Sequence, residues 1–329
     1  MMTTRHTITR RELLTRGVYV TGAAAAVHFL APSGLAAATV EFWQQAKPAA
    51  DALTQSRLGM AATPIQSVPL DVGLQMLAGP GGNVILSTGT DGKLVVDTFV
   101  QPAWPKLKAV LDATNKTPIK MVVNTHWHFD HADNNASFRQ AGAVLVAHAN
   151  TPKRMAETHD LLGMHFEPSP PEARPTETFR DRHTLTVNGE SIELSYIPPS
   201  HTDTDIAVRF TKANVLHLGD VYFAGMYPFF DTSTGGNING MIAAADLGIK
   251  MADGATKIVP GHGPLSDRAD LMKYRDMLTT VRDRVRKLKS SGRSLQDTIA
   301  AKPSADLDAA WGKGFMQPND FVTLVYNTV

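Results

Sequence analysis

Short apolar runs bounded by turn residues organise the chain from about residue 72 onward. Val72–Ala78, Val84–Thr88 and Lys93–Asp97 read as strands. Gly79-Pro80-Gly81-Gly82 and Asp91-Gly92 separate them, which is the turn chemistry of antiparallel hairpins. Lys106–Ala113, entered through prolines, has a helical pattern and leads into the apolar run Ile119–Val123. A helix over Ala132–Gln140, a buried strand over Ala143–Ala147 and a helix over Pro152–Asp160 come next. Gly163–Glu177 then carries Pro168, Pro170, Pro171 and Pro175, which rules out a helix or a central strand. It reads equally as a plain linker and as one wall of a substrate cleft. Strands resume at Thr184–Val187 and Ser191–Ile197 around Asn188-Gly189, then at Ile206–Phe210, Val215–Leu218 and Lys257–Val259. The C-terminal part is helical over Arg268–Lys289 and again over Leu295–Ala301. Mostly antiparallel strands, with helices interleaved and at the end, predict helices packed outside two sheets. Trp311, Phe315, Phe321 and Tyr326 are set to dock the end of the chain or to line an oligomer interface.

The N-terminus follows other rules. Thr9-Arg10-Arg11-Glu12-Leu13-Leu14 precedes a weakly apolar stretch from Gly17 to Ala31, and Ala36-Ala37-Ala38 offers a small-residue cleavage site. This resembles a twin-arginine export signal over residues 1–38, which implies passage through the twin-arginine export machinery and a periplasmic or secreted protein. The apolar stretch is too short, and too rich in Ala and Gly, for a membrane span of about 20 residues. Val40–Gly59 reads as a short helical or irregular lead-in to a single domain over 39–329.

Charge changes the picture only through that leader. Of 32 basic and 31 acidic residues, Arg5, Arg10, Arg11, Arg16 and Glu12 fall within residues 1–38. The remainder holds 28 against 30, a net of −2. Nothing in that balance favours nucleic acid, and an acidic chain offers no phosphate-gripping surface for a phosphodiesterase or nuclease. Cysteine is absent, so any metal must be held by histidine and carboxylate rather than thiolate.

The candidate chemistry is concentrated in Asn124-Thr125-His126-Trp127-His128-Phe129-Asp130-His131, directly after the run Ile119–Val123. If that strand continues extended, His126, His128 and Asp130 project to one side and Trp127 and Phe129 to the other. Imidazoles and a carboxylate this close together suit a divalent transition metal, since hard-cation sites are built mainly from oxygens. Further donors stand just past strand ends at His201, Asp220 and His262.

In order and spacing these residues resemble the metallo-β-lactamase superfamily, whose His-x-His-x-Asp-His motif the segment 126–131 matches position for position. The likeness runs from about Val72 to Leu265. It implies an αββα sandwich with the metal site at one edge between the sheets. It also implies that His126, His128 and His201 bind one metal, that Asp130, His131 and His262 bind a second, and that Asp220 bridges them. Two zinc ions are the implied cofactor. His128 stands where iron-dependent redox members carry Glu, which argues for zinc, although ligand type alone does not fix the metal. Asp97 matches the acidic residue that orients a ligating histidine in the family, with Asp203 and Asp205 as alternative partners. Asp133-Asn134-Asn135 departs from the glycines many members have after the motif. Tyr222 and Tyr227 follow Asp220, where a phenol could touch substrate or a developing oxyanion.

The resemblance implies a hydrolase in which a metal-bridging hydroxide attacks a carbonyl, with Asp130 orienting the water and accepting its proton. The substrate is a small molecule carrying an ester, lactone, thioester or β-lactam amide. Export tilts the choice toward β-lactamase-like activity. Two other classes remain open: an iron-dependent or persulfide-oxidising oxidoreductase on the same fold, and a non-catalytic zinc protein serving a periplasmic partner.

Overall fold

The computed structural model describes residues 51–329. The twin-arginine-like leader and the start of the lead-in after Val40 lie outside the described residues. A seven-stranded sheet comes first, in the spatial order β1 (Gln66–Asp71), β2 (Leu74–Ala78), β3 (Val84–Gly89), β4 (Gly92–Val96), β5 (Ile119–Val123), β6 (Val144–His148) and β9 (Glu177–Phe179). Between β6 and β9 the small hairpin β7 (His159–Leu161) and β8 (Met164–Phe166) stands apart. A second sheet has five strands in sequence order: β10 (Arg182–Val187), β11 (Glu190–Tyr196), β12 (Ile206–Phe210), β13 (Val215–His217) and β14 (Lys257–Val259).

Alternation along each strand assigns its two faces. In β4, Leu94 and Val96 face the second sheet while Val95 faces outward. In β5 and β6 the inward residues are Val123 and Val146, the outward ones Val122 and Leu145. From the other side Leu194, Val208, Val215 and Val259 meet them, so a dry layer separates the sheets. Both faces of these strands are buried, which is why they appear in the sequence as unbroken apolar runs. Helices cover the outer faces. On the first sheet lie α1 (Ala52–Ala62), α2 (Trp104–Thr114), α3 (Phe129–Ala132) and α4 (Asn135–Gln140), with α5 (Thr151–Arg154) beside β6. On the second lie α6 (Ile238–Met251), α7 (Arg268–Ser290), α8 (Leu295–Ala300), α9 (Asp308–Trp311) and α10 (Pro318–Thr328). This is the expected αββα sandwich.

Several local expectations are corrected. The pattern above assigns no element to 238–251, yet Asn237 caps a helix there by accepting from Gly240 N. Ile238, Met241, Ile242, Ala245 and Ile249 form its buried stripe. The helix expected over Pro152–Asp160 stops at Arg154, and the chain turns into β7. Gly163–Glu177 is not all loop, since β8 lies within it. The expected helix over Ala132–Gln140 is broken at 133–134, where Asn134 Nδ2 donates to the carbonyls of Thr98, Phe99 and Val100. Those three bonds explain an asparagine in place of glycine: it ties the motif to the exit of β4.

Strand direction positions the site. β4, β5, β6 and β9 run parallel, and β11, β13 and β14 share one direction through the antiparallel and parallel pairings of their sheet. The loops leaving the carboxyl ends of these strands carry all the candidate donors, in keeping with where open α/β sheets place ligands. The C-terminal aromatics mainly dock: Phe321 is fully buried and stacks on Tyr227 at 4.6 Å, and Trp311 lies near Tyr274. Phe315 does not, being 55% exposed. Among the described residues no helix is long and apolar enough to cross a membrane.

Candidate metal centre

β5 ends at Val123, and the chain bends rather than continuing extended. His126 and His128 still share one side, and Trp127 packs away with Ala132, Met155 and Ala173. Asp130, however, arrives on the helical turn α3 together with His131, not by strand alternation. His201 lies in the loop after β11, Asp220 in a 3-10 turn after β13, and His262 after β14. The structure brings all seven together. Donor atoms of His126, His128 and His201 lie within 4.8 Å of one another, as do those of His126, His131 and Asp220 and those of Asp130, His131 and His262.

Hydrogen bonds behind three of the rings, His126, His131 and His201, assign which nitrogen carries the proton. Asp97 Oδ2 accepts from His131 Nδ1 at 2.7 Å and from Thr125 Oγ1 at 2.7 Å, and its Oδ1 accepts from Thr125 N at 2.7 Å. With its own hydrogen given to Asp97, the Thr125 oxygen accepts from His126 Nδ1 at 3.0 Å. His201 Nδ1 donates to the Phe229 carbonyl at 2.9 Å, and His128 Nε2 faces Asp231 Oδ2 at 3.5 Å. In the neutral form of each ring the lone pair is thereby left on Nε2 of His126, His131 and His201. His126 Nε2 is buried without any hydrogen-bond partner, and His201 Nε2 stands 2.8 Å from His128 Nδ1. Such an arrangement is unfavourable unless a cation lies among the donors, so the residues present fit a divalent metal.

The electrostatics divide the cluster in two. Burial pushes His126 well below the ordinary imidazole range and His201 down to about 4, against the pull of Asp220. For His131 and His262 burial acts the same way but is outweighed: Asp220, Asp130 and Asp97 hold His131 well above its ordinary value, and Asp220 and Asp130 raise His262 to about 9. Asp220 is held well below the ordinary carboxylate range, since His262, His131 and His126 outweigh its burial. His126 and His201 are thus held neutral, while His131 and His262 sit in a mixed histidine–carboxylate set.

Close backbone approach makes this packing feasible. A Cβ at Gly82 would overlap the His131 ring, and one at Gly261 would overlap Asp220 Oδ1. Asp97 itself has φ +65°, a left-handed conformation at the end of β4 that stores strain beside the cluster.

Asp97 therefore has the orienting role expected of it. Asp205 acts differently: it accepts from Ser200 Oγ, His201 N, Thr202 N and Thr202 Oγ1, bracing the backbone of the His201 loop rather than its ring. Asp203 pairs with Arg154. Asp133 is bidentate to Arg57, and the side chains of Asn135 and Asn124 pair with each other. His217 is fully buried beneath the cluster, with Nδ1 3.1 Å from the Val259 carbonyl. Tyr222 and Tyr227 do not reach the site. The 3-10 turn at Asp220 sends Tyr222 against Tyr274, where burial pushes its phenol up to about 12. The Tyr227 hydroxyl donates to Asp308 Oδ1 at 2.8 Å. Phe223, stacked on His262 at 5.1 Å, and Phe229, beside His128 and His201, take the places expected of the tyrosines. Asp231 and Asn83, whose Nδ2 donates to the carbonyls of Pro260 and Gly263, were not singled out from the sequence. Neither sits at a recognisable spacing from its partner.

Asp130, His128, His201, Asp220 and His262 form part of the wall of a cavity of about 400 Å³, with His126 and His131 behind them. A larger cavity of about 770 Å³ adjoins it beyond Phe129 but is lined by none of the seven donors.

Comparison with known proteins identifies the family and the fold. The sequence pattern of the Metallo-beta-lactamase superfamily matches residues 78–284, more than half of the chain. The 2,4-dinitroanisole O-demethylase subunit alpha of Nocardioides sp. (strain JS1661) is 26% identical over 140 residues, 42% of this chain and 40% of that one. The chain thus spans well under half the length of that relative. Among solved structures, a metallo-beta-lactamase from Pontibacter korlensis superposes with a TM-score of 0.56 at 18% identity, covering 65% of this chain and 99% of the other. The sec-alkylsulfatase Pisa1 from Pseudomonas sp. superposes with a TM-score of 0.61 at 16% identity, covering 80% and 50%. At these identities the structural likeness shows the fold alone.

Proposed function

The chain belongs to the metallo-beta-lactamase superfamily, and from that premise we propose that it is a metal-dependent hydrolase working outside the cytoplasm on an ester, lactone, thioester or β-lactam amide. His126, His128 and His201 would hold one divalent cation, Asp130, His131 and His262 a second, with Asp220 between them. Zinc is the proposed metal, because the donor set is histidine and carboxylate and position 128 is His. The observation that carries this reading is the convergence of seven histidine and aspartate donors, three of the imidazoles turned by a partner behind the ring, beside a cavity large enough for a small molecule.

Bound there, a metal pair would lower the pKa of water from about 15.7 toward about 7 and polarise the bond to be cut. The chain's own residues do the rest. Asp130 reaches the cavity with its Oδ2 3.2 Å from His262 Nε2. Burial raises its pKa, but His131 and His262 more than offset that, so it is ionised and able to orient a water and accept its proton. Phe223 and Phe229 exclude bulk water beside the donors, which strengthens the local electrostatics.

The test is metal content followed by turnover on one preparation of the full chain, across a β-lactam, a lactone, an aryl ester and a thioester. An aryl methyl ether joins the panel because the O-demethylase subunit is named for one. Two equivalents of zinc are expected, with activity lost to a chelator and restored by zinc. Full turnover by the metal-free protein, or a single equivalent of iron, would overturn the reading.

A further inference from the structure

The cavity beside the candidate donors has a one-sided chemistry. Away from them its wall is built by Met60 of α1, by Leu161, Leu162 and Met164 of the β7–β8 hairpin, and by Phe315 from the segment between α9 and α10. Its other polar contributors, Ser56 and Thr63, are uncharged, and among the described residues no lysine or arginine lines it. Of the nearby cations, Lys313 is exposed and does not line the cavity, and two others are committed elsewhere. Arg57, next to Ser56 in α1, makes two 2.7 Å bonds to Asp133 in the adjoining cavity. Lys106 caps the carbonyls ending α1.

Two residues of this wall are large, apolar and open to solvent. Leu162 is 54% and Phe315 55% exposed. Leu162 and Gly163 form the two-residue turn of the hairpin, both at positive φ, where the first position favours Asn, Asp or Gly. A leucine there is locally strained and wet. Strain of this sort concentrates where it meets a ligand.

We propose that the site takes substrates whose portion remote from the bond to be cut is uncharged and apolar, held between Leu162 and Phe315, and that it discriminates against substrates carrying a carboxylate or sulfate there. A charged group placed among these side chains would lose its water and find no cationic partner. The inference rests on the hydrolase reading, and it ranks neutral esters and lactones above β-lactams, whose carboxylate would need such a partner.

The test uses the zinc-loaded full chain and two esters with the same leaving group, para-nitrophenyl hexanoate and para-nitrophenyl hydrogen adipate, which differ by a terminal methyl against a carboxylate. In each, water adds to the acyl carbon, the acyl–oxygen bond breaks, and the acid and para-nitrophenol are released. The expected preference for hexanoate in kcat/KM is at least about tenfold, carried mainly by KM. In Leu162→Arg or Phe315→Arg the ratio should fall toward unity or invert. A second readout needs no turnover: with cobalt in place of zinc, benzyl mercaptan and para-(mercaptomethyl)benzoate are titrated by their sulfur-to-cobalt absorption. The neutral thiol should bind at least about tenfold more tightly. Equal or reversed order in either pair overturns the proposal. Ordered thiol binding without hydrolysis of these esters or of any substrate in the panel above overturns the hydrolase reading and leaves the apolar wall supported. Failure to bind metal overturns both.

Discussion

Replacing Asp97 with asparagine isolates the role of the residues behind the rings. Asn tolerates the left-handed backbone at φ +65° at least as well as Asp, so the end of β4 should keep its path. What changes is the hydrogen-bond polarity. Asp97 accepts three bonds of 2.7 Å from Thr125 N, Thr125 Oγ1 and His131 Nδ1. If the amide oxygen of Asn keeps the Thr125 N bond, its NH2 group meets two hydrogens, from the threonine hydroxyl and from His131 Nδ1. His131 relieves the clash by moving its proton to Nε2, the atom that faces Asp220 and Asp130. Thr125 relieves its own by turning its hydroxyl, whose two lone pairs can then accept from the new amide and from His126 Nδ1. One substitution thus puts a proton on His131 Nε2, where a lone pair is needed. Loss of such a partner typically weakens metal binding about 10- to 100-fold, or about 1.4–2.8 kcal/mol. The assay is competition for zinc against a chromophoric chelator, run alongside thermal unfolding of the metal-free proteins. The variant should bind more weakly by that factor while its metal-free melting temperature falls far less than that of a core truncation. Wild-type zinc affinity in a folded Asp97→Asn protein would reduce Asp97 to a strand terminator and refute the tautomer argument.

Four further outcomes can be measured. Phe321→Ala removes a fully buried ring from the contact between α10 and Tyr227 and should cost about 3–5 kcal/mol, lowering Tm by roughly 6 °C or more without changing metal content; a shift under about 2 °C would mean that the C-terminal helix is not docked as described. Gly261→Ala forces a Cβ into Asp220 and should cut turnover at least about tenfold or lower the bound metal, and a variant with normal stoichiometry and rate would show that the loop gives way. His148, stacked on Tyr196 at 4.0 Å, has its pKa lowered by burial, which outweighs the Arg180 backbone and Asp203. The unfolded chain therefore takes up that proton first as pH falls through about 6.5, so stability drops there, and His148→Phe should lose less stability than wild type between neutral and mildly acidic pH; equal losses would refute this. Finally, Arg10→Lys with Arg11→Lys should leave precursor in the cytoplasm on cell fractionation, and undiminished export would remove the twin-arginine reading.

Much of this protein was determined within short windows of its sequence. The inner strands are legible because both of their faces are buried, so Leu94-Val95-Val96 and Val122-Val123 admit no polar interruption. The seven donors are legible because each follows a strand end and their order and spacing resemble those of the family. Asp97 was readable from the same resemblance, at the end of β4. Other decisions needed the whole fold. Asp231 faces His128 across 103 positions, and Asn83 reaches carbonyls near residue 260, because loops from two separate sheets meet at one edge. Tyr222 and Tyr227 turn into the helical layer although their spacing from Asp220 allowed them the site, since the turn after β13 sets their direction. Leu162 and Phe315 come to share one cavity wall only when a hairpin and a C-terminal segment converge on it. Local periodicity specifies which residues are buried and which elements form. Which side chain a buried or exposed one faces depends on how sheets and helices pack, and that is a property of contacts far apart in the chain.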